Sequence, residues 1–213
     1  MTRVAVIDYG MGNRRSVEKA LAHVGAEAVI TRDHHELRSA DGLVLPGVGA
    51  FPQGMRNLRG LELDELIRER VGEGVPLLGI CLGMQLLFDS SQELEDAAGI
   101  GLIAGEVTRL NAGASRIPHI GWNEVRFERP SPLTAELPSS GCPFYHVHSF
   151  AARPSDPDHV VGTTEYGDDR FATIVRRESV FGVQFHPEKS SRDGLRLLDS
   201  FVGVCVGLAG ARS

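Results

Sequence analysis

The chain has 213 residues, 42% apolar and 23% charged, with a formal net charge of −6. That length supports one sizeable α/β domain with its own core, and with no linker, repeat or low-complexity segment we read residues 1–213 as that single domain. The acidic balance and the lack of a basic stripe argue against nucleic acid as a partner, and no apolar run approaches the roughly 20 residues that cross a bilayer.

The N-terminus, Met1 to Asp8, enters a strand at once and lacks the apolar region and small-residue cleavage site of a signal peptide. Val4–Ile7 is a short apolar run of the kind buried on both faces in a parallel sheet. Gly10–Asn13 turns the chain. Val17, Ala20, Leu21 and Val24 then mark one face of a helix stopped by Gly25. Ala28–Ile30 predicts a second strand, Asp33 caps a helix beginning at His34-His35, and Leu43–Leu45 predicts a third strand. Leu63, Leu66, Ile67 and Val71 mark a helix ending at Gly72–Gly74, and Leu77–Ile80 predicts the strand that delivers Cys81. Met84–Phe88 reads as the next helix. The alternation implies a doubly wound, mainly parallel sheet.

From about residue 103 to 186 helical periodicity is scarce. Strands are predicted at 106–110, 124–127, 144–150, 160–164, 171–175 and 180–185, punctuated by Gly and Pro. We read them as an antiparallel extension of the parallel core. A last helix carries Leu195, Leu198 and Val202 on one face, with Ser190 or Ser191 as its cap. Three cysteines, Cys81, Cys142 and Cys205, show no paired spacing, which fits a reducing cytoplasm.

The chemistry centres on Gly79-Ile80-Cys81-Leu82-Gly83, a thiol at a strand-to-helix turn. This is the cysteine analogue of a nucleophile elbow, where flanking glycines let two backbones approach and a helix N-terminus favours the thiolate. A lone elbow leaves a buried inert thiol as the alternative. About a hundred residues on, Gln184-Phe185-His186-Pro187-Glu188 supplies a base, His186, and an orienting carboxylate, Glu188, expected to reach the same face in extended chain. Oxyanion donors are expected from the Leu82 N–H and from the loop Pro46-Gly47-Val48-Gly49 after another strand. His146 and His148 are two apart, but no cysteine or carboxylate joins them at ligand spacing, so no metal site is expected. Gly10-Met11-Gly12-Asn13 lacks the third glycine of a dinucleotide fingerprint, and no cofactor is expected.

Together, Pro46-Gly47-Val48-Gly49, the Cys81 elbow and the His186 block resemble the three motifs of class I glutamine amidotransferases, over nearly the whole chain. That family implies a flavodoxin-like sheet and release of ammonia from glutamine through a thioester on Cys81. Asp8–Asn13, Pro118-His119-Ile120-Gly121-Trp122-Asn123, Val147-His148-Ser149 and Phe185–Ser190 further resemble the glutaminase subunits of imidazole glycerol phosphate synthases. The resemblance implies a heterodimer with a (β/α)₈-barrel cyclase that uses the ammonia in histidine biosynthesis. It places Gln85 and the backbone of His148 and Ser149 on glutamine, Val48 and Gly49 in the oxyanion strand, and Asn13, Trp122, Tyr145 and Lys189 at or near the cyclase. His146 stands where an aromatic residue is expected and Phe150 where a tyrosine is common. An amidotransferase for another acceptor, such as one of pyridoxal phosphate or purine synthesis, and a non-catalytic docking module of the same fold remain the alternatives.

Overall fold

The computed structural model describes the backbone of residues 1–212 and the side chains of residues 1–207. The first part of the chain runs β1 (Arg3–Ile7), α1 (Arg14–His23), β2 (Glu27–Thr31), α2 (His34–Ser39), β3 (Gly42–Gly47), α3 (Phe51–Gly60), α4 (Leu63–Gly72), β4 (Leu77–Cys81) and α5 (Leu82–Leu86). It continues with β5 (Phe88–Ser91), β6 (Ala97–Ala98), β7 (Ile103–Arg109), β8 (His119–Phe127), β9 (Cys142–His148), β10 (Phe150–Pro154), β11 (Val160–Tyr166), β12 (Asp169–Arg177) and β13 (Val180–Val183), and closes with α6 (Ser191–Arg212).

Strands β2, β1, β3, β4 and β13 lie side by side and parallel. From β13 outward the sheet becomes mainly antiparallel through β12, β10 and β7, with β11, β8 and β9 branching from β12. The two-residue period of a strand sends alternate side chains to opposite faces. Val4 and Val6 of β1 pack with Val17 and Leu21 of α1 and with Leu198 and Phe201 of α6. Ala5 and Ile7 face the other way, toward Leu37 of α2, Met55 and Leu58 of α3, and Leu66 and Ile67 of α4. Each such side chain, fully buried, contributes about 1.5–3 kcal/mol. The sheet is therefore wound on both faces, as the strand–helix alternation predicts.

Four details differ from the sequence reading. Helix α3 has no predicted counterpart, although Phe51, Met55 and Leu58 are buried at helical spacing; Gly54 and Gly60 obscure the pattern. The helix after Cys81 stops at Leu86 instead of running to Phe88, and Phe88 opens β5 against Ile103. The predicted strand 144–150 breaks at Ser149 into β9 and β10, which join different neighbours. Ser190 stands just before α6, its carbonyl accepting from Gly194 N–H at 3.1 Å, but its hydroxyl turns away from the helix, donating to the His186 carbonyl at 2.7 Å and accepting from Tyr145 N–H at 2.9 Å. Asp33 does cap α2, accepting from Glu36 N–H at 3.0 Å.

Topology assembles the motifs. In register, Gly47 at the end of β3 lies beside Cys81 at the end of β4, and Val183 of β13 lies beside Ile80. The Pro46–Gly49 loop, the thiol and the histidine block thus leave the carboxyl ends of three adjacent parallel strands, the edge where open α/β sheets bind ligands.

Candidate active site

Cys81 adopts φ 55°, ψ −110°, a backbone conformation costly for a residue with a Cβ. The strain is held by the glycines around it. A Cβ on Gly83 would overlap the Leu45 carbonyl oxygen, and one on Gly79 would press on the backbone of Gly83 and Met84. Strand, elbow and helix therefore pack closer than any side chain allows. Cys81 is 6% exposed, and its sulfur lies 3.8 Å from the Val147 carbonyl oxygen and 3.8 Å from Gln184 Nε2.

His186 Nδ1 lies 2.9 Å from Glu188 Oε1, with both side chains buried. The chain bridges them by a 3₁₀ turn over Pro187–Lys189 rather than by the extended segment expected. Backbone bonds fix the ring's anchor: His186 N–H donates to the Tyr145 carbonyl at 2.9 Å. Burial opposes charge on the imidazole. Hydrogen bonds and the negative charges of Cys81 and Glu188 outweigh it and raise the His186 pKa to about 10. The ring is thus protonated at neutral pH.

Asn13, which the resemblance implies at or near the cyclase, reaches the His186–Glu188 pair. Its Nδ2 donates to Glu188 Oε1 at 2.7 Å and lies 3.3 Å from His186 Nδ1. Since Nδ1 gives its own hydrogen to Glu188, the acceptor for Asn13 is the carboxylate. The second carboxylate oxygen, Oε2, is buried without a partner. Asn13 holds the left-handed φ of 75° just ahead of α1, which turns its amide inward. The preceding loop runs along the oxyanion strand: a Cβ on Gly47 would overlap the Tyr9 hydroxyl, and one on Gly49 would press on Met11.

A cavity of about 250 Å³ opens beside Cys81 and is lined among others by Val48, Gly49, Leu82, Gln85, His148 and Ser149, the residues to which the sequence reading gives oxyanion and glutamine-binding roles. Gln85 is fixed by two donations from Nε2, to the Phe150 carbonyl and to Gln184 Oε1, both at 3.0 Å. Two lining or contacting residues escaped the sequence reading. Gln184 sits two before His186, so strand alternation was its only signal. Glu93 lines the same cavity and accepts from Phe51 N–H at 2.8 Å; it lies in a loop with no pattern to flag it.

The remaining interface candidates are Trp122, Tyr145 and Lys189. Trp122 pairs in register with Tyr145, their rings 6.2 Å apart and edge-to-face. Trp122 is 53% and Ile120, two residues earlier, 60% exposed. Lys189 is exposed next to the triad. His146 and His148 bind no common partner: His146 bonds Phe144 O and Thr173 Oγ1, while His148 bonds Phe150 O and His119. His146 takes the aromatic position by stacking on His119 at 4.9 Å. Among the described residues no group of three or more His, Cys, Asp or Glu side chains is arranged to hold a metal ion.

The geometry has known counterparts. The family model for glutamine amidotransferase class-I matches residues 5–207. The chain is 52% identical to "Imidazole glycerol phosphate synthase subunit HisH" of Moorella thermoacetica over 201 residues, covering 94% of each. It is 46% identical to the protein of that name from Lactococcus lactis, covering 95% of this chain and 98% of that one. Among solved structures it resembles PurLQS from Thermotoga maritima, with a TM-score of 0.75 at 22% identity, covering 95% and 98% of the two chains.

Proposed function

The chain belongs to the class I glutamine amidotransferase family, among its imidazole glycerol phosphate synthase HisH subunits, and from this premise we propose how its residues perform glutaminase chemistry for histidine biosynthesis. Glutamine enters the cavity with its side-chain amide at Cys81. Gln85 and the His148–Ser149 backbone hold its amino-acid end, and the Glu93 carboxylate offers a counter-charge to its ammonium. The sulfur attacks the amide carbon. The Leu82 N–H and the Val48–Gly49 strand receive the oxyanion. His186 gives its proton to the departing nitrogen, so the C–N bond breaks and ammonia leaves a γ-glutamyl thioester. The same imidazole then takes a proton from water as it attacks the thioester, releasing glutamate and restoring the thiolate–imidazolium pair. Glu188, oriented by Asn13, keeps the His186 hydrogen on Nδ1 whenever the ring is neutral.

The observation that carries this reading is the strained Cys81 elbow facing a buried His186–Glu188 pair. Ammonia would pass to a (β/α)₈-barrel cyclase docked over Ile120, Trp122, Tyr145 and Lys189, where an exposed tryptophan beside a second aromatic fits a protein interface. The biosynthetic role supports a cytoplasmic setting. In a complex with the cyclase, Cys81→Ala should abolish glutamate release and leave synthesis from free ammonium intact. Full glutaminase turnover by that variant would reject the nucleophile.

A further inference from the structure

A chain of hydrogen bonds runs from β8 to the nucleophile. Asn123 Nδ2 lies 3.3 Å from His119 Nε2, His119 Nδ1 lies 3.2 Å from His148 Nε2, and His148 Nδ1 lies 2.9 Å from the Phe150 carbonyl oxygen. That carbonyl also accepts from Gln85 Nε2 at 3.0 Å, and Gln85 leads through Gln184 to Cys81.

The direction of each bond from Asn123 to the Phe150 carbonyl is determined. Asn123 Oδ1 accepts from Glu124 N–H and Nδ2 donates to the Glu165 carbonyl, at 2.8 Å each, so the amide cannot be reversed. Its remaining N–H therefore points at His119 Nε2, which must accept. His119 then carries its hydrogen on Nδ1 and donates to His148 Nε2. From the other end, the Phe150 carbonyl can only accept, which puts the His148 hydrogen on Nδ1 and leaves Nε2 as an acceptor. The two ends agree. The polarity requires both rings to be neutral, and burial lowers the pKa of His119 to about 4 and of His148 to about 3.

We propose that Asn123 and His119 are positioning residues for the glutamine site, locking the Phe150 carbonyl and through it the Gln85 amide. The Phe150 oxygen has two lone pairs, one taken by His148 and one by Gln85. Loss of the first frees the carbonyl to turn and releases the second. The inference rests on the glutamine-binding role given to Gln85 above. His119 also stacks on Tyr166 at 4.0 Å, so His119→Phe keeps the packing and removes only the relay.

Two measurements on the full chain test it. Two-bond ¹H–¹⁵N spectra of histidine-labelled protein at pH 7 should show His119 and His148 neutral and protonated on Nδ1; an Nε2–H form of either overturns the chain. In the complex with cyclase, His119→Phe should raise KM for glutamine roughly tenfold, the worth of about one hydrogen bond, with kcat within about twofold. An unchanged KM overturns the positioning role. Wild-type protein that releases no glutamate at all would instead refute the glutaminase reading, while leaving the spectra as a test of the chain. If His119→Phe fails to fold, Asn123→Asp replaces it. That change sets acceptors against both ring nitrogens of His119, so the ring should become charged near neutral pH while still donating from Nδ1 to His148. A His119 still neutral at pH 7 in that variant overturns the proposal.

Discussion

Asn13→Ala separates two roles for a residue whose sequence context suggests a docking surface and whose amide points inward. The bond at stake is the 2.7 Å donation from Nδ2 to Glu188 Oε1. It is charge-assisted and partly buried, which is worth about 1.5–3 kcal/mol. Glu188 has little to replace it, because Oε2 is already unpartnered and Oε1 would keep only His186. If the carboxylate orients the catalytic imidazole, that loss converts to a fall of roughly 10- to 150-fold in kcat/KM, at about 1.4 kcal/mol per decade. The assay is glutamate release at saturating cyclase, with cyclase affinity measured separately by titration. Under the triad role turnover falls even when every chain is bound. Turnover restored fully by excess cyclase, with only affinity reduced, would refute the reasoning and return Asn13 to the interface.

Tyr9→Phe removes a hydroxyl that is buried and has no hydrogen-bond partner, so thermal stability should stay level or rise; a clear drop in Tm by calorimetry would mean that the hydroxyl is paired in solution. Gly83→Ala places a methyl group into the Leu45 carbonyl, and its loss of stability, about 1–3 kcal/mol or more by denaturant titration, should come with loss of activity as the elbow shifts; unaltered stability and activity would show that the elbow tolerates a Cβ. His119 and His148 have pKa values lowered by burial from 6.5 to about 4 and about 3. Their neutral forms therefore contribute stability fully above about pH 6.5, and that contribution is lost as pH falls toward those values, because the unfolded chain binds the protons first. Tm measured from pH 7 to 4 should fall less steeply in His119→Phe, and a slope identical to wild type would count against a neutral buried His119.

The sequence by itself determined the winding of the sheet, because buried parallel strands and amphipathic helices leave different periods in it. Val4–Ile7, Leu43–Leu45 and Leu77–Ile80 are the central strands, and the Val17–Leu21 face is the buried face of α1. It also singled out the candidate reacting groups: Gly79 and Gly83 around Cys81 and the short step from His186 to Glu188 are local patterns with a chemical reason. What it left open are relations between distant segments. That β13 lies parallel beside β4, putting His186 and Cys81 on one edge, depends on pairing across about a hundred residues. Asn13 turning onto Glu188, and Asn123 reaching the cavity beside Cys81 through two histidines, follow from side-chain directions in the packed molecule. A hydrogen bond across such a distance imposes no spacing on the chain, so only the tertiary structure decides which residues meet.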